Sequence, residues 1–168
     1  MRISSASYED LPEIARIHVT AWKQAYVGQV PQVHLDNLSV ADRLRRWREQ
    51  FSNHAVSGLL VASVNDEIAG FVCFGPSRDE ERAEWGEIYP IYVIEAYRGS
   101  GLGYQLYKRA CAELKSNGSP KAYLWVLDTN GRAIAAERWG GVIESGRQKD
   151  HEVGGQPVKE VSIAFALE

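Results

Sequence analysis

Cysteine is scarce in this 168-residue chain, which has only Cys73 and Cys111. Two thiols cannot build the disulfide framework on which small secreted domains depend, so a reducing compartment is expected. The amino terminus, MRISSASYEDLPEI, has no apolar core followed by a cleavage signal, and the expected location is the cytoplasm. No apolar run approaches the ~18 residues of a membrane span, so no membrane partner is expected. Positive charge is not in excess either. The formal net charge is -3, and the nearest basic run, RLRRWR from Arg43 to Arg48, reads as a solvated helix face with Leu44 and Trp47 turned inward. Nucleic acid is therefore not an expected partner. His18, His34, His54 and His151 show neither HExxH nor any other metal spacing, and no metal is expected.

What the chain does have is a regular alternation of patterns. DLPEIARIHVTAWKQAYVG reads as a helix with Pro12 in its first turn and Leu11, Ile14, Ile17, Ala21, Trp22 and Ala25 at helical spacing. Ser39 caps a second helix, whose buried stripe is Val40, Leu44, Trp47 and Phe51. GLLVASVNDEIAGFVCFGPS is a hairpin turning at Asn65-Asp66. WGEIYPIYV is a further strand, followed by a glycine loop and a helix from about Gly101 to Ser116. AYLWVL is a strand and DTNGRAIAAERW a short helix. GVIESGRQ and VKEVSIAFAL close the chain as a strand pair around Gly154-Gly155. The predicted order is β-α-α-β-β-β-α-β-α-β-β in one domain spanning residues 1–168, with no linker long enough to divide it. The helix between the strands at Trp85 and Ala122 makes them parallel neighbours or near-neighbours, and a ligand crevice belongs at their carboxyl ends.

The glycine loop lies at that end. In EAYRGSGLGYQLYKRA, Arg98-Gly99-Ser100-Gly101-Leu102-Gly103 precedes an amphipathic helix. Glycine is costly to fix, but it keeps side chains away from the unpaired N–H groups and the positive dipole end of a helix start. Arg98 adds a full charge, and the combination suits a pyrophosphate. Three other glycine motifs fail residue by residue. A P-loop lacks its lysine after Gly103, a dinucleotide fingerprint lacks its third glycine, and a nucleophile elbow meets Arg98 and Leu102 where glycines are required.

GEIYPIYVIEAYRGSGLGYQLY resembles the central motif of the GNAT superfamily of N-acetyltransferases, with its [QR]-x-x-G-x-[GA] loop after a parallel strand. The resemblance extends over most of the chain, through AWKQAYVGQVP, GFVCFGPS, AYLWVLDTNGRA and the closing strands. It implies a three-layer α/β fold with a mixed, mostly antiparallel sheet of about six to seven strands and helices on both faces. It also implies acetyl-CoA as co-substrate, with Arg98, Gly99, Ser100, Gly101, Leu102 and Gly103 on the pyrophosphate. Pro90, which cannot serve a central ladder, marks a bulge in its strand. By the same resemblance Ile91, Tyr92 and Val93 hold the pantetheine arm and a developing oxyanion.

The implied reaction moves an acetyl group to a primary amine by direct attack in a ternary complex. An ammonium with a pKa near 10.4 costs roughly 4–5 kcal/mol to deprotonate at pH 7, so a general base matters. Glu87, at the start of the bulged strand, is the expected base, with Glu84 behind it. Asn130 and Ala133 fit the start of the family's next helix, and Asn130 is expected to position the cofactor. The family's tyrosine acid is missing: Glu137 stands in ungapped register, and Ala136 after a one-residue deletion. Tyr92, Tyr104 or water remain as acids. A thiol pKa near 8.5 keeps the thiolate only about 2 kcal/mol above the thiol at pH 7, so this loss hurts less than loss of the base. Trp22 and Tyr26 are expected to wall the acceptor side. The apolar closing strands would suit a homodimer. A different class of function, an acyl-CoA-binding sensor without turnover, stays open, and so does the acceptor: small amines, aminoglycosides, amino acids or protein termini.

Overall fold

The computed structural model describes residues 1–128 and 136–167. Seven strands form one sheet in the order β1-β2-β3-β4-β5-β7-β6. They are β1 (Arg2–Ser5), β2 (Gly58–Val64), β3 (Glu67–Pro76), β4 (Gly86–Val93), β5 (Lys121–Leu127), β6 (Val142–Val153) and β7 (Gln156–Ala166). Helices α1 (Leu11–Tyr26), α2 (Gln32–Asp36), α3 (Val40–Ser52) and α4 (Leu102–Ser116) accompany them, and residues 136–138 are also helical. The expected mixed, mostly antiparallel sheet is present, since β4 and β5 are the one parallel pair among the described strands.

Local chemistry accounts for the main elements. Asn65 and Asp66 both adopt positive φ, 51° and 64°, the geometry that turns a tight hairpin with the twist of its strands. Ser39 accepts a hydrogen bond from the Asp42 N–H at 3.2 Å and opens α3. The closing hairpin turns at Gly154 and Gly155, again at positive φ. Two features depart from the expected order. The short helix α2 falls where only a connection was expected, and β6 continues through the polar run KDHEV to Val153. The helix expected over DTNGRAIAAERW lies largely outside the described residues.

Helices cover both faces. On one, α4 packs Leu102, Leu106, Ala110 and Leu114 against Leu60, Val72, Ile88 and Ile163. On the other, α1 and α3 bring Leu11, Ile14, Ile17 and Trp47 onto Val61 and Phe71. A smaller third cluster joins Tyr26, Val30 and Leu35 to Leu127, Val153 and Val158.

β4 is where this regularity breaks. Val72 of β3 pairs with Ile91 and Phe74 pairs with Ile88, so Tyr89 and Pro90 both face Cys73, a bulge at the proline. The extra residue flips the alternation: Ile88 belongs to the α4 face and Tyr89 to the α1 face, while Tyr92 stays on the α1 side. Beyond the bulge, β4 loses β5. Their ladder covers only Gly86↔Ala122, Glu87↔Tyr123 and Ile88↔Leu124, although both strands continue.

Candidate active site

A cleft of about 540 Å³ fills the gap between the parted strands. Its floor is the carboxyl-terminal part of β4, Tyr89 to Val93, and of β5, Leu124 to Leu127. One end reaches Arg98, Gly99, Gly101, Gly103 and Tyr104, with Arg138 and Trp139 on the wall. The other end reaches Trp22, Ala25 and Tyr26 of α1 and Glu160 of β7.

At the helix mouth, Gly99 and Gly101 have φ of 77° and 87°, where a side chain would be strained. A Cβ on either would project into empty space, with no heavy atom within 4 Å. The first helical hydrogen bond runs from the Gln105 N–H to the Gly101 carbonyl at 3.0 Å. The N–H groups of Leu102, Gly103 and Tyr104 therefore precede the helical ladder, and Leu102 has only a long 3.4 Å contact to Ser100 Oγ. Open space, orphan donors and two flanking arginines make a fit for a diphosphate. The Arg98 guanidinium donates to the Val93 carbonyl at 3.4 Å and to Gln24 on α1, which fixes its stem at the rim. The side chains of two loop residues serve the fold, leaving only their backbone to the cleft: Ser100 Oγ donates to the Tyr97 carbonyl at 2.6 Å, and Leu102 is buried in the α4 core.

Ile91, Tyr92 and Val93 all line the cleft, on a strand edge that has no ladder partner toward β5. Tyr92 packs its ring on His18 and Phe71 at centroid distances of 5.2 and 5.7 Å. His18 itself is buried, accepts the Trp47 indole N–H at Nδ1, and is pushed down to about 3 by burial and then by the Arg43 charge.

Glu87 stands apart from the cleft. It is 1% exposed, and its carboxylate accepts from the Arg78 backbone N–H at 3.0 Å, the Arg78 guanidinium at 2.6 Å and the Tyr123 hydroxyl at 2.8 Å. Burial alone would raise its pKa, but the Arg78 and Tyr123 hydrogen bonds with the Arg78 charge outweigh it and hold the carboxyl below its usual range. Asn130, the other expected catalytic residue, lies outside the described residues, as does Ala133. Glu137, which stands where a tyrosine was expected, is exposed.

Trp22 and Tyr26, expected on the acceptor side, both line the cleft, with ring centroids 4.9 Å apart. Sequence reading missed Tyr89, Trp125, Arg138 and Glu160 as lining residues. Trp125 and Glu160 lie in strands with no motif, and only the β5–β7 register brings them to the cleft.

A parallel strand pair separates beside a helix mouth free of side chains, and comparison with known proteins gives the class, an acyltransferase. The family follows from comparison. The model of the acetyltransferase (GNAT) family matches residues 15–140, and the chain belongs to that family. An uncharacterized N-acetyltransferase of Bacillus subtilis (strain 168), YuaI, is 27% identical over 164 residues, covering 97% of this chain and 91% of that one. The ribosomal-protein-alanine N-acetyltransferase of Brucella melitensis superposes with a TM-score of 0.75 at 20% identity, over 99% of each chain. Salmonella typhimurium yncA, solved with its cofactor acetyl-CoA, gives 0.74 at 20% identity, over 100% of this chain and 94% of that one.

Proposed function

We propose that the chain transfers the acetyl group of acetyl-CoA to a primary amine by direct attack in a ternary complex. The continuity of the cleft carries this reading, because one channel joins the open helix mouth, the parted strand edge and an aromatic wall. Acetyl-CoA supplies the acetyl group as a thioester. Arg98 and the N–H groups at the mouth of α4 receive its diphosphate, with Arg138 adding charge from the opposite wall. The free edge of Ile91–Val93 offers backbone groups to the amide-bearing arm and to a developing oxyanion. Trp22 and Tyr26 bound the acceptor side, and Asn130 keeps the positioning role that family membership suggests. The proposed setting is the cytoplasm, and no described helix is long and apolar enough to cross a membrane. The proposed homodimer would use β6, an edge strand with Val142 and Ile143 exposed.

Glu87 takes the amine proton at one remove, through water, because its side chain does not line the cleft. Its pairing makes it a weak base, and this favours a second reading: an acyl-CoA-binding sensor that lacks turnover. The exposed Glu137 in place of a tyrosine acid points the same way. Calorimetry with acetyl-CoA, paired with thiol release over a panel of amines, separates the two. For the enzyme, Glu87→Gln lowers kcat by about 10²-fold or more with acetyl-CoA affinity kept, the usual scale for a general base. Tight acetyl-CoA binding with no release above hydrolysis on any amine selects the sensor.

A further inference from the structure

Among the described residues, the acceptor end of the cleft holds a single carboxylate, beside aromatic rings. Glu160 of β7 stands opposite Leu127 of β5 and Lys149 of β6, so the three side chains share the face that α1 covers. It is half-buried and makes no side-chain hydrogen bond or ion pair among the described residues. Its charge is felt by Tyr26, whose hydroxyl is pushed up to about 12, first by burial and then by Glu160. Lys149 could have neutralised it. Instead the Lys149 ammonium sits 4.3 Å from the Trp125 ring centroid and pairs with no carboxylate among the described residues. A half-buried anion with no side-chain partner among the described residues, in a cleft lined by indole and phenol rings, is an incomplete site for a cation.

The location sets what kind of cation. β5 lies between β4 and β7 and has already parted from β4 at Leu127, so Glu160 is one strand spacing, roughly 4.8 Å, from β5 and more than two such spacings from the strand that lines the reacting end. The nitrogen that attacks must be neutral, whereas a group held by Glu160 keeps its charge. Arg98 and Arg138 occupy the opposite end and repel a cation from it.

We infer that Glu160, walled by Trp22, Tyr26 and Trp125, binds a cationic group of the acceptor set back from its reacting nitrogen, which makes the substrate a diamine-like molecule with an apolar spacer. An acceptor bearing a carboxylate at that distance is excluded by like charge. The inference rests on the acetyl-transfer reading only for calling the ligand an acceptor.

The test uses a matched pair: aminopentyl-trimethylammonium, whose charge cannot be lost, and its neutral isostere with carbon replacing the quaternary nitrogen. Binding to the CoA-loaded protein is followed by calorimetry, and thiol release gives KM and kcat. The cation should bind about tenfold tighter than the isostere, and Glu160→Gln should abolish that difference through KM with kcat within about threefold. Equal binding of the two probes by the parent protein, or a preference that survives in Glu160→Gln, overturns the inference. The parent comparison needs no variant, so a misfolded Glu160→Gln cannot hide the answer. If neither amine is acetylated, the wider amine panel still decides the enzyme reading, while binding decides this one.

Discussion

Single side chains set how this protein meets acid. Folded His18 is held down to about 3, whereas an unfolded imidazole titrates near 6.5. Between those values the unfolded chain carries the extra proton, so stability is complete above pH 6.5 and falls as the pH drops towards 3. The gap corresponds to on the order of 5 kcal/mol. His18→Gln keeps an acceptor for the Trp47 indole but cannot titrate. Its melting temperature should therefore lose most of the parent's decline between pH 6.5 and 4, measured by a thermal-denaturation series. None of this was legible in the sequence, where His18 is one apolar-face histidine among four. Its burial and its neighbours come from α3 and β3 closing over α1. Glu87 teaches the converse. Its position before the glycine loop was legible, but Arg78 and Tyr123, nine and thirty-six residues away, decide its charge state.

Elements with strong local signals were the most readable. The Asn65-Asp66 hairpin, the Ser39 cap and the helix behind the glycine loop all follow from residues within a few positions of one another. Pro90 was legible as an interruption, and the bulge it marks is what frees the edge of β4. β6 was harder, because KDHEV alternates polar residues on an exposed edge and shows no apolar face. Trp125 and Glu160 were out of reach for a related reason: strand pairing between distant segments selects them, and pairing leaves no mark in either segment alone. The mouth of α4 offers the sharpest element-scale test. Gly101→Val puts a Cβ at φ 87°, costing about 1–2 kcal/mol of stability, and fills the approach to the orphan N–H groups. Acetyl-CoA affinity should fall at least tenfold by calorimetry, whereas binding of aminopentyl-trimethylammonium should change little.

At the scale of the molecule, β1–β4 and β5–β7 are two antiparallel blocks joined by three ladder pairs. A ligand lying between β4 and β5 contacts both. Acetyl-CoA at about a hundred times its Kd should add roughly 2.7 kcal/mol, a rise of about 5–10 °C in Tm for a chain of this size. Amide exchange should slow at Ile91–Val93 and at Val126 and Leu127, the backbone facing the gap. No change in exchange at either stretch, despite tight binding, would mean that the ligand sits elsewhere. The short seam has a consequence for engineering as well. The turn at Gly118, with φ 91° and open space around it, leads directly into β5. A backbone cut there leaves both sets of antiparallel ladders whole and asks the fragments to rejoin through the three-pair seam, the α4 core that includes Ile163 and Phe165, and the Arg82–Glu144 and Arg147–Asp79 ion pairs, with a ligand as splint over the seam. Reassembly of such halves would then report ligand concentration, turning the gap between two strands into the switch of a split sensor.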